Sequence, residues 1–271
     1  MKLKNTNVLI TGGASGIGKI MAELCLQKQA KNLILWDINE QNLKDTVQEF
    51  SKSGYTNVWG YVLDVADLEA IKANAQQVKQ DVGVIDVLIN NAGVVVGKNF
   101  TEHSHFDIDF TLDVNVRGVM HTTLEFLEDM VLQAKGHIVN IASAAGMMSN
   151  PKMSVYVGSK WAVLGWSESI RLELERQNSN VHVTTVTTGY IDTGMFDGVK
   201  NNALIPVLQP LEVATAIVKA IETNQVFVRM PKILYSLPLL KGLMPVKMFD
   251  KVVGEYLDIY ESMSSFVGRK K

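Results

Sequence analysis

Short runs rich in Val, Ile and Leu alternate along this chain with longer stretches whose apolar residues return at helical spacing. The short runs cover residues 7–11, 32–37, 58–63, 86–90, 137–143, 181–187 and 226–228. Most are nearly continuous in apolar residues, the pattern of strands covered on both faces rather than one. Between them, residues 16–29, 40–53, 67–82, 105–134, 154–178 and 211–223 carry helix-like periodicity. Regular alternation of strand and helix predicts right-handed crossovers and an α/β fold built on a doubly wound parallel sheet.

The placement of proline refines this picture. All 6 prolines lie at or beyond Pro151, and no low-complexity linker or internal repeat interrupts the 271 residues. The expected organisation is a single domain, with its body over 1–228 and a C-terminal extension over 229–271. A hydrophobic share of 47% against 20% charged residues provides a sizeable core and excludes disordered and collagen-like classes. A net charge of -2 argues against a nucleic-acid binder, which needs a basic field. The only cysteine, Cys25, cannot form an internal disulfide or a Cys-based zinc site. The five histidines, at 103, 105, 121, 137 and 182, show no metal-ligand spacing with acidic partners. The first apolar run is too short for a signal peptide, and no stretch reaches the ~18 apolar residues a spanning helix needs. A soluble or peripheral protein of a reducing, cytoplasmic compartment is expected.

The first candidate chemistry lies where the first strand meets the first helix, at Thr11-Gly12-Gly13-Ala14-Ser15-Gly16-Ile17-Gly18. Gly12 permits a tight turn, while Gly16 and Gly18 let backbone approach a pyrophosphate held at the helix N-terminus. The second strand ends in Asp37, 19 residues after Gly18, where a carboxylate can accept from the adenosine ribose hydroxyls and would repel a 2′-phosphate. No Arg or Lys follows directly to neutralise such a phosphate, so the expected cofactor is NAD rather than NADP. A second constellation is Tyr156-Val157-Gly158-Ser159-Lys160, a phenol and an ammonium at i and i+4 on one helix face. The lysine is expected to lower the phenol's pKa toward the range of acid-base work. Ser143, 13 residues before the tyrosine, can hydrogen-bond a substrate oxygen beside it.

Taken in order, Thr11 to Gly18, Asp64-Val65, Asn90-Asn91-Ala92-Gly93, Asn115, Ser143, Tyr156, Lys160 and Gly189 to Met195 resemble the short-chain dehydrogenase/reductase family over essentially the whole chain. The resemblance implies a Rossmann-type fold and an NAD-dependent oxidoreductase that interconverts an alcohol and its carbonyl. It implies that Tyr156 is the acid-base residue and that Lys160 lowers its pKa and holds the nicotinamide ribose. Ser143 would orient the substrate oxygen, and Asn115 would support a water-mediated proton relay. Gly12, Ser15, Gly16, Ile17, Gly18 and Asp37 would hold the dinucleotide, with Asp64 and Val65 at the adenine. Asn91 and Gly93 would lie beside the adenosine, and Ile191 and Thr193 would meet the carboxamide. Where the family usually has Pro-Gly after the sixth strand, this chain has Thr188-Gly189, a change expected to loosen that turn.

The segment from Arg229 onward carries eight Lys or Arg against four Asp or Glu, among apolar clusters broken by proline. Such a segment suits either a wall of a lipophilic pocket, with Met147, Met148 and Met195, or contact with an anionic membrane surface. Its ending, Glu261 to Arg269, resembles the retinol and 17β-hydroxysteroid dehydrogenase branch of the family. A bulky lipophilic alcohol or ketone is therefore the expected substrate, and a homodimer or homotetramer the expected assembly, since the family pairs its fourth and fifth helices. The competing reading is an NAD(H)-binding sensor without significant turnover, although a sensor has no need for all four of Asn115, Ser143, Tyr156 and Lys160.

Overall fold

The computed structural model describes residues 1–200, 206–256 and 258–268; Arg269, Lys270 and Lys271 lie outside them. Seven strands form the sheet: β1 (Asn7–Thr11), β2 (Asn32–Asp37), β3 (Val58–Val62), β4 (Val87–Asn90), β5 (Gly136–Ile141), β6 (Val181–Thr188) and β7 (Phe227–Met230). Every pairing is parallel, in the order β3-β2-β1-β4-β5-β6-β7. The chain first winds outward from β1 to β3, then returns to β4 beside β1 and winds the other way. A crevice opens where the winding reverses, beyond the carboxyl ends of β1 and β4.

Helices α1 (Gly16–Gln27), α2 (Glu40–Lys52) and α3 (Leu68–Val82) connect the first four strands. Side-chain caps start two of them: Asn39 accepts from Asn42 N, and Asp67 accepts from Ala70 N at 3.0 Å. After β4 come α4 (His105–Leu112) and α5 (Gly118–Leu132), then α6 (Ser154–Arg176) and α7 (Pro210–Thr223), the last begun by proline and ended by Asn224 in the left-handed region. Met21, Ala22, Val213 and Ile217 of α1 and α7 bury against one face of the sheet. Ile71, Phe126, Met130 and Ile170 of α3, α5 and α6 bury against the other, where Trp36 meets Phe126 with ring centroids 5.7 Å apart. Each such side chain contributes about 1.5–3 kcal/mol, so the two-faced core fixes the sheet and with it the crevice.

Three departures from the sequence pattern matter here. The helix expected over 105–134 carries a π-bulge: Asp113–Arg117 forms a π-turn that joins α4 to α5 with helical backbone at both junctions; such bulges often mark functional sites. At the sheet edge β3 is not covered on both faces, and Trp59 and Val62 are exposed. At Thr188-Gly189, β6 runs on through Thr188 to pair with Met230, and Gly189 N donates to Met230 O at 2.8 Å.

The C-terminal segment adds two short helices, α8 (Leu237–Leu243) and α9 (Val246–Phe249), and a π-turn over Asp250–Tyr256. Leu234, Leu237, Phe249 and Val253 bury against Met147 and Met148, so the extension backs the loop that follows β5. Among the described residues no helix is long and apolar enough to cross a membrane, and no group of His, Cys, Asp or Glu is arranged to hold a metal ion.

Candidate active site

One end of the crevice is the glycine turn. Gly12 has φ +62 and Gly16 φ +53, a region that side chains avoid, and a Cβ on Gly18 would strike the Gly12 carbonyl oxygen. The turn is therefore open only to glycine at the points where it folds tightest. Asn91 clamps it from β4: its Nδ2 donates to Thr11 O and Gly12 O at 3.0 Å each, while Thr11 Oγ1 accepts from Asn91 N and Ala92 N. Ser15 occupies the N-cap of α1, yet its side chain makes no cap hydrogen bond. The first-turn N–H groups thus face a cleft lined by Gly12, Ser15, Gly16 and Ile17, the arrangement that suits a pyrophosphate. This cradle fits a dinucleotide.

Asp37, only 9% exposed, is no solvated strand end. Its Oδ2 accepts from Ala14 N and its Oδ1 from Asn39 N, both at 3.0 Å, which leaves each oxygen a further lone pair toward the cleft. Ile38 follows it, and Asp64 and Val65 line the same wall with Gly93. Opposite the turn, Ile191 bridges to Leu208, and Thr193 lies where a Cβ on Gly16 would meet it at 3.6 Å. The expected cofactor residues therefore surround one cleft of about 300 Å³; Gly18 and Asn91 shape it by holding the turn.

At its other end Ser143, Tyr156 and Lys160 converge. Ser143 lies two residues past the end of β5 rather than within it, capping the 3-10 turn Ala144–Gly146. Its Oγ accepts from Ala145 N at 3.1 Å, and Ser143 lines the cleft beside Tyr156. Lys160 is buried, with Nζ donating to Ile141 O at 2.9 Å and lying 5.7 Å from the tyrosine ring centroid. The expected lowering of the phenol's pKa is not what the structure gives. Burial pushes Tyr156 up to about 12, the Ser143 hydroxyl opposes the rise, and burial brings Lys160 down to about 8. One N–H of the ammonium is held by Ile141 O, and Nζ stands beside the phenol ring.

Asn115 sits fully buried in the π-turn, behind this pair. Its Oδ1 accepts from Val94 N at 2.8 Å, and its Nδ2 donates to Val94 O at 2.9 Å and Ser159 Oγ at 3.1 Å. Ser159 Oγ donates in turn to Tyr156 O at 2.7 Å. The Asn115 side chain thus ties the loop after β4 to the helix that carries Tyr156.

The substrate side differs from the sequence expectation. Met195 does line the main cleft, and Met148 lines a smaller chamber of about 50 Å³ beside Ser143, with Met153, Tyr190, Phe196 and Ile259. Met147 lines neither, and none of Ile233 to Met244 does, because Leu234 and Leu237 are used to back the methionine loop. Sequence periodicity did not point to Phe196, which lies in an irregular segment. Its ring packs edge-on to Tyr156 with centroids 6.2 Å apart.

A doubly wound sheet with a glycine cradle at one end of its crevice and a Ser-Tyr-Lys cluster at the other defines a nucleotide-dependent oxidoreductase. Residues 6–203 match the short chain dehydrogenase family, and the chain belongs to that family, whose members are oxidoreductases acting on CH–OH groups. It is 35% identical to human epidermal retinol dehydrogenase 2 over 97% of this chain and 86% of that protein. Against estradiol 17-beta-dehydrogenase 11 of Macaca fascicularis the identity is 32%, over 91% and 85% of the two chains. Among solved structures, a short chain dehydrogenase/reductase from Burkholderia phymatum in complex with NAD superposes with a TM-score of 0.81. It is 27% identical and matched over 89% of this chain and 95% of that one.

Proposed function

We propose that this enzyme uses NAD to interconvert a bulky lipophilic alcohol and its carbonyl, with Tyr156 as the acid-base residue. The observation that carries the reading is the joining of Ser143, Tyr156 and Lys160 to the Asp37 and glycine end through one continuous cleft. Bound NAD supplies the hydride acceptor for oxidation, and its reduced form the donor for the reverse. Gly12, Ser15, Gly16 and Ile17 would hold the pyrophosphate, Asp37 the adenosine ribose, and Asp64 and Val65 the adenine. Ile191 and Thr193 would meet the nicotinamide end.

The chain's own residues move the proton. Tyr156 takes it from the alcohol or gives it to the carbonyl oxygen, and Ser143 donates to the same oxygen. Lys160, held by Ile141 O, keeps positive charge beside a phenolate as it forms. Asn115 fixes Tyr156 through Ser159. Asn115 would also support a water-mediated proton relay out of the site. The lining of Met148, Met153, Tyr190, Phe196 and Ile259 around Ser143 favours an apolar substrate body, and the relatives named for retinol and estradiol agree with it.

Two surfaces support further partners. Leu239, Leu240, Leu243, Val246 and Met248 are exposed beside Lys232, Lys247 and Lys251, an apolar and cationic face suited to an anionic lipid surface. Leu124 and Leu132 of α5 and Trp161 and Leu172 of α6 are also exposed, which favours a homo-oligomer through these helices. The deciding experiment mixes the protein with NAD and a panel of short, aromatic, steroid, retinoid and long-chain alcohols and follows reduced-cofactor absorbance. Turnover of the bulky members supports the reading. NAD binding without turnover on any of them would favour a sensor.

A further inference from the structure

The chain beyond Ile259 folds back across the substrate end of the cleft instead of trailing away. Ser262 is 4% exposed, and its Oγ accepts from Asn150 Nδ2 at 2.9 Å and shares a 2.9 Å hydrogen bond with the Tyr190 hydroxyl. Asn150 Nδ2 also donates to that hydroxyl at 3.1 Å. The three side chains come from the loop after β5, the segment after β6 and the tail. Backbone bonds join the same parts: Lys200 N donates to Ser262 O at 3.1 Å, and Val267 N to Asp197 O at 2.9 Å. Two glycines admit the tail. A Cβ on Gly198, with φ +84, would strike Ser265 O, and a Cβ on Gly97 would strike the Phe266 ring.

Phe196 stands between these anchor points. Its ring is packed against Tyr156, against Tyr190 at 5.1 Å and against Phe266 at 6.5 Å between centroids. Met263 is buried in the same cluster with Tyr156 and Met153. Phe196 has no helix or strand beneath it, so its position over the phenol depends on what the tail and Tyr190 hold in place.

We propose that Ser262 and Tyr190 are specificity-determining positioning residues. With Asn150 they latch the C-terminal tail to the segment that follows β6, and the latched tail holds Phe196 and Phe266 as an apolar roof over the substrate end of the site. A ligand with an extended apolar body gains contact with that roof, whereas a small one does not reach it. Loss of the latch therefore lowers affinity for large apolar ligands and leaves small ones unchanged. The inference rests on substrate entering beside Tyr156, as proposed above, but its test requires no turnover.

The test uses the full chain, saturated with NAD so that neither ketone can be reduced, and two ketones that share a reacting group, 2-decanone and 2-butanone. Calorimetry reads their affinities, and hydrogen–deuterium exchange reads residues 194–200 and 259–268. Wild type should bind 2-decanone the more tightly. Ser262→Ala should weaken 2-decanone at least tenfold with 2-butanone unchanged, and should raise exchange in both segments together. Tyr190→Phe should likewise weaken 2-decanone and raise exchange in both segments, and Ser262→Thr, which keeps the hydroxyl, should restore the wild-type pattern. Exchange that rises in the tail alone, an unchanged ratio of affinities in Ser262→Ala, or a wild type that favours neither ketone would overturn the proposal. Failure of the acid-base reading would show separately, as turnover that survives loss of the Tyr156 phenol.

Discussion

Replacing Asp37 with Asn separates two things its carboxylate does. In the wild type the two oxygens accept from Ala14 N and Asn39 N, and their charge faces the place where an adenosine 2′-substituent would lie. Asparagine keeps one acceptor and turns an amide NH₂ toward the other backbone N–H. That unsatisfied pair should cost about 1–3 kcal/mol of stability, or roughly 2–4 °C in Tm per kcal/mol. The charge effect is larger and appears only in cofactor choice. Two unit charges about 4 Å apart repel by about 4 kcal/mol at an effective dielectric near 20. Solvent at the cleft mouth reduces this to about 2–3 kcal/mol, or about 30–100-fold at 1.4 kcal/mol per decade. Steady-state kcat/KM with NAD and with NADP, for wild type and Asp37→Asn, reads the discrimination directly. Wild type should favour NAD by at least that ratio, and the variant should lose most of the preference while its Tm falls by about 2–12 °C. Equal use of both cofactors by wild type, or an unchanged ratio in Asp37→Asn, would refute the role given to this carboxylate.

Further outcomes follow from the same structure. Oxidation needs the deprotonated Tyr156 phenol and reduction needs the protonated one. With burial pushing that phenol up, kcat/KM for alcohol oxidation should climb from neutral into alkaline pH, while carbonyl reduction should stay flat and then fall; slopes of the same sign would argue against Tyr156. His137 is buried against His182, and burial brings it down to about 3. Its depressed pKa gives stability that is complete above its unfolded value near 6.5 and is lost as pH falls toward about 3, on the order of 5 kcal/mol. Thermal melts of His137→Gln should therefore show a shallower acid loss than wild type, and identical slopes would sink the assignment. Full-length protein should co-sediment with phosphatidylserine-containing vesicles more than with phosphatidylcholine alone, and Leu239→Asp with Leu243→Asp should abolish it; binding indifferent to either change would dismiss the lipid-facing surface.

The elements that sequence periodicity located best are those whose partners are local or repetitive. β1 and β2 match residue for residue, because each is a continuous apolar run between turn signals. The cofactor cradle was equally legible: Gly12 and Gly18 do their work through backbone geometry that only glycine allows, and Asp37 ends its strand at a fixed distance. Long-range contacts were not legible. The π-turn at Asn115 lies inside a stretch with unbroken helical periodicity, and only its hydrogen bonds to Val94 and Ser159 show why the helix bulges there. The apolar run over Ile233 to Met244 suggested a pocket wall, but apolar character does not reveal which side of a loop a segment covers. Phe196 and Ser262 lack any period, and their importance appears only when the tail is seen lying against Tyr190 and Asn150. The raised Tyr156 pKa was missed for a related reason: i and i+4 spacing brings Lys160 near the phenol but does not show the burial that pushes the phenol up.

The most direct test of the central claim compares NADH binding and turnover in Tyr156→Phe. The ring is buried against Phe196 and Lys160, so phenylalanine preserves the packing and removes only the oxygen that carries the proton. NADH affinity, read by fluorescence enhancement, should stay within about threefold of wild type, because the cradle and Asp37 are untouched. Turnover on the best alcohol of the panel should fall by at least about 100-fold, the lower range for loss of a general acid-base group. Turnover within tenfold of wild type, with NADH still bound, would contradict the account.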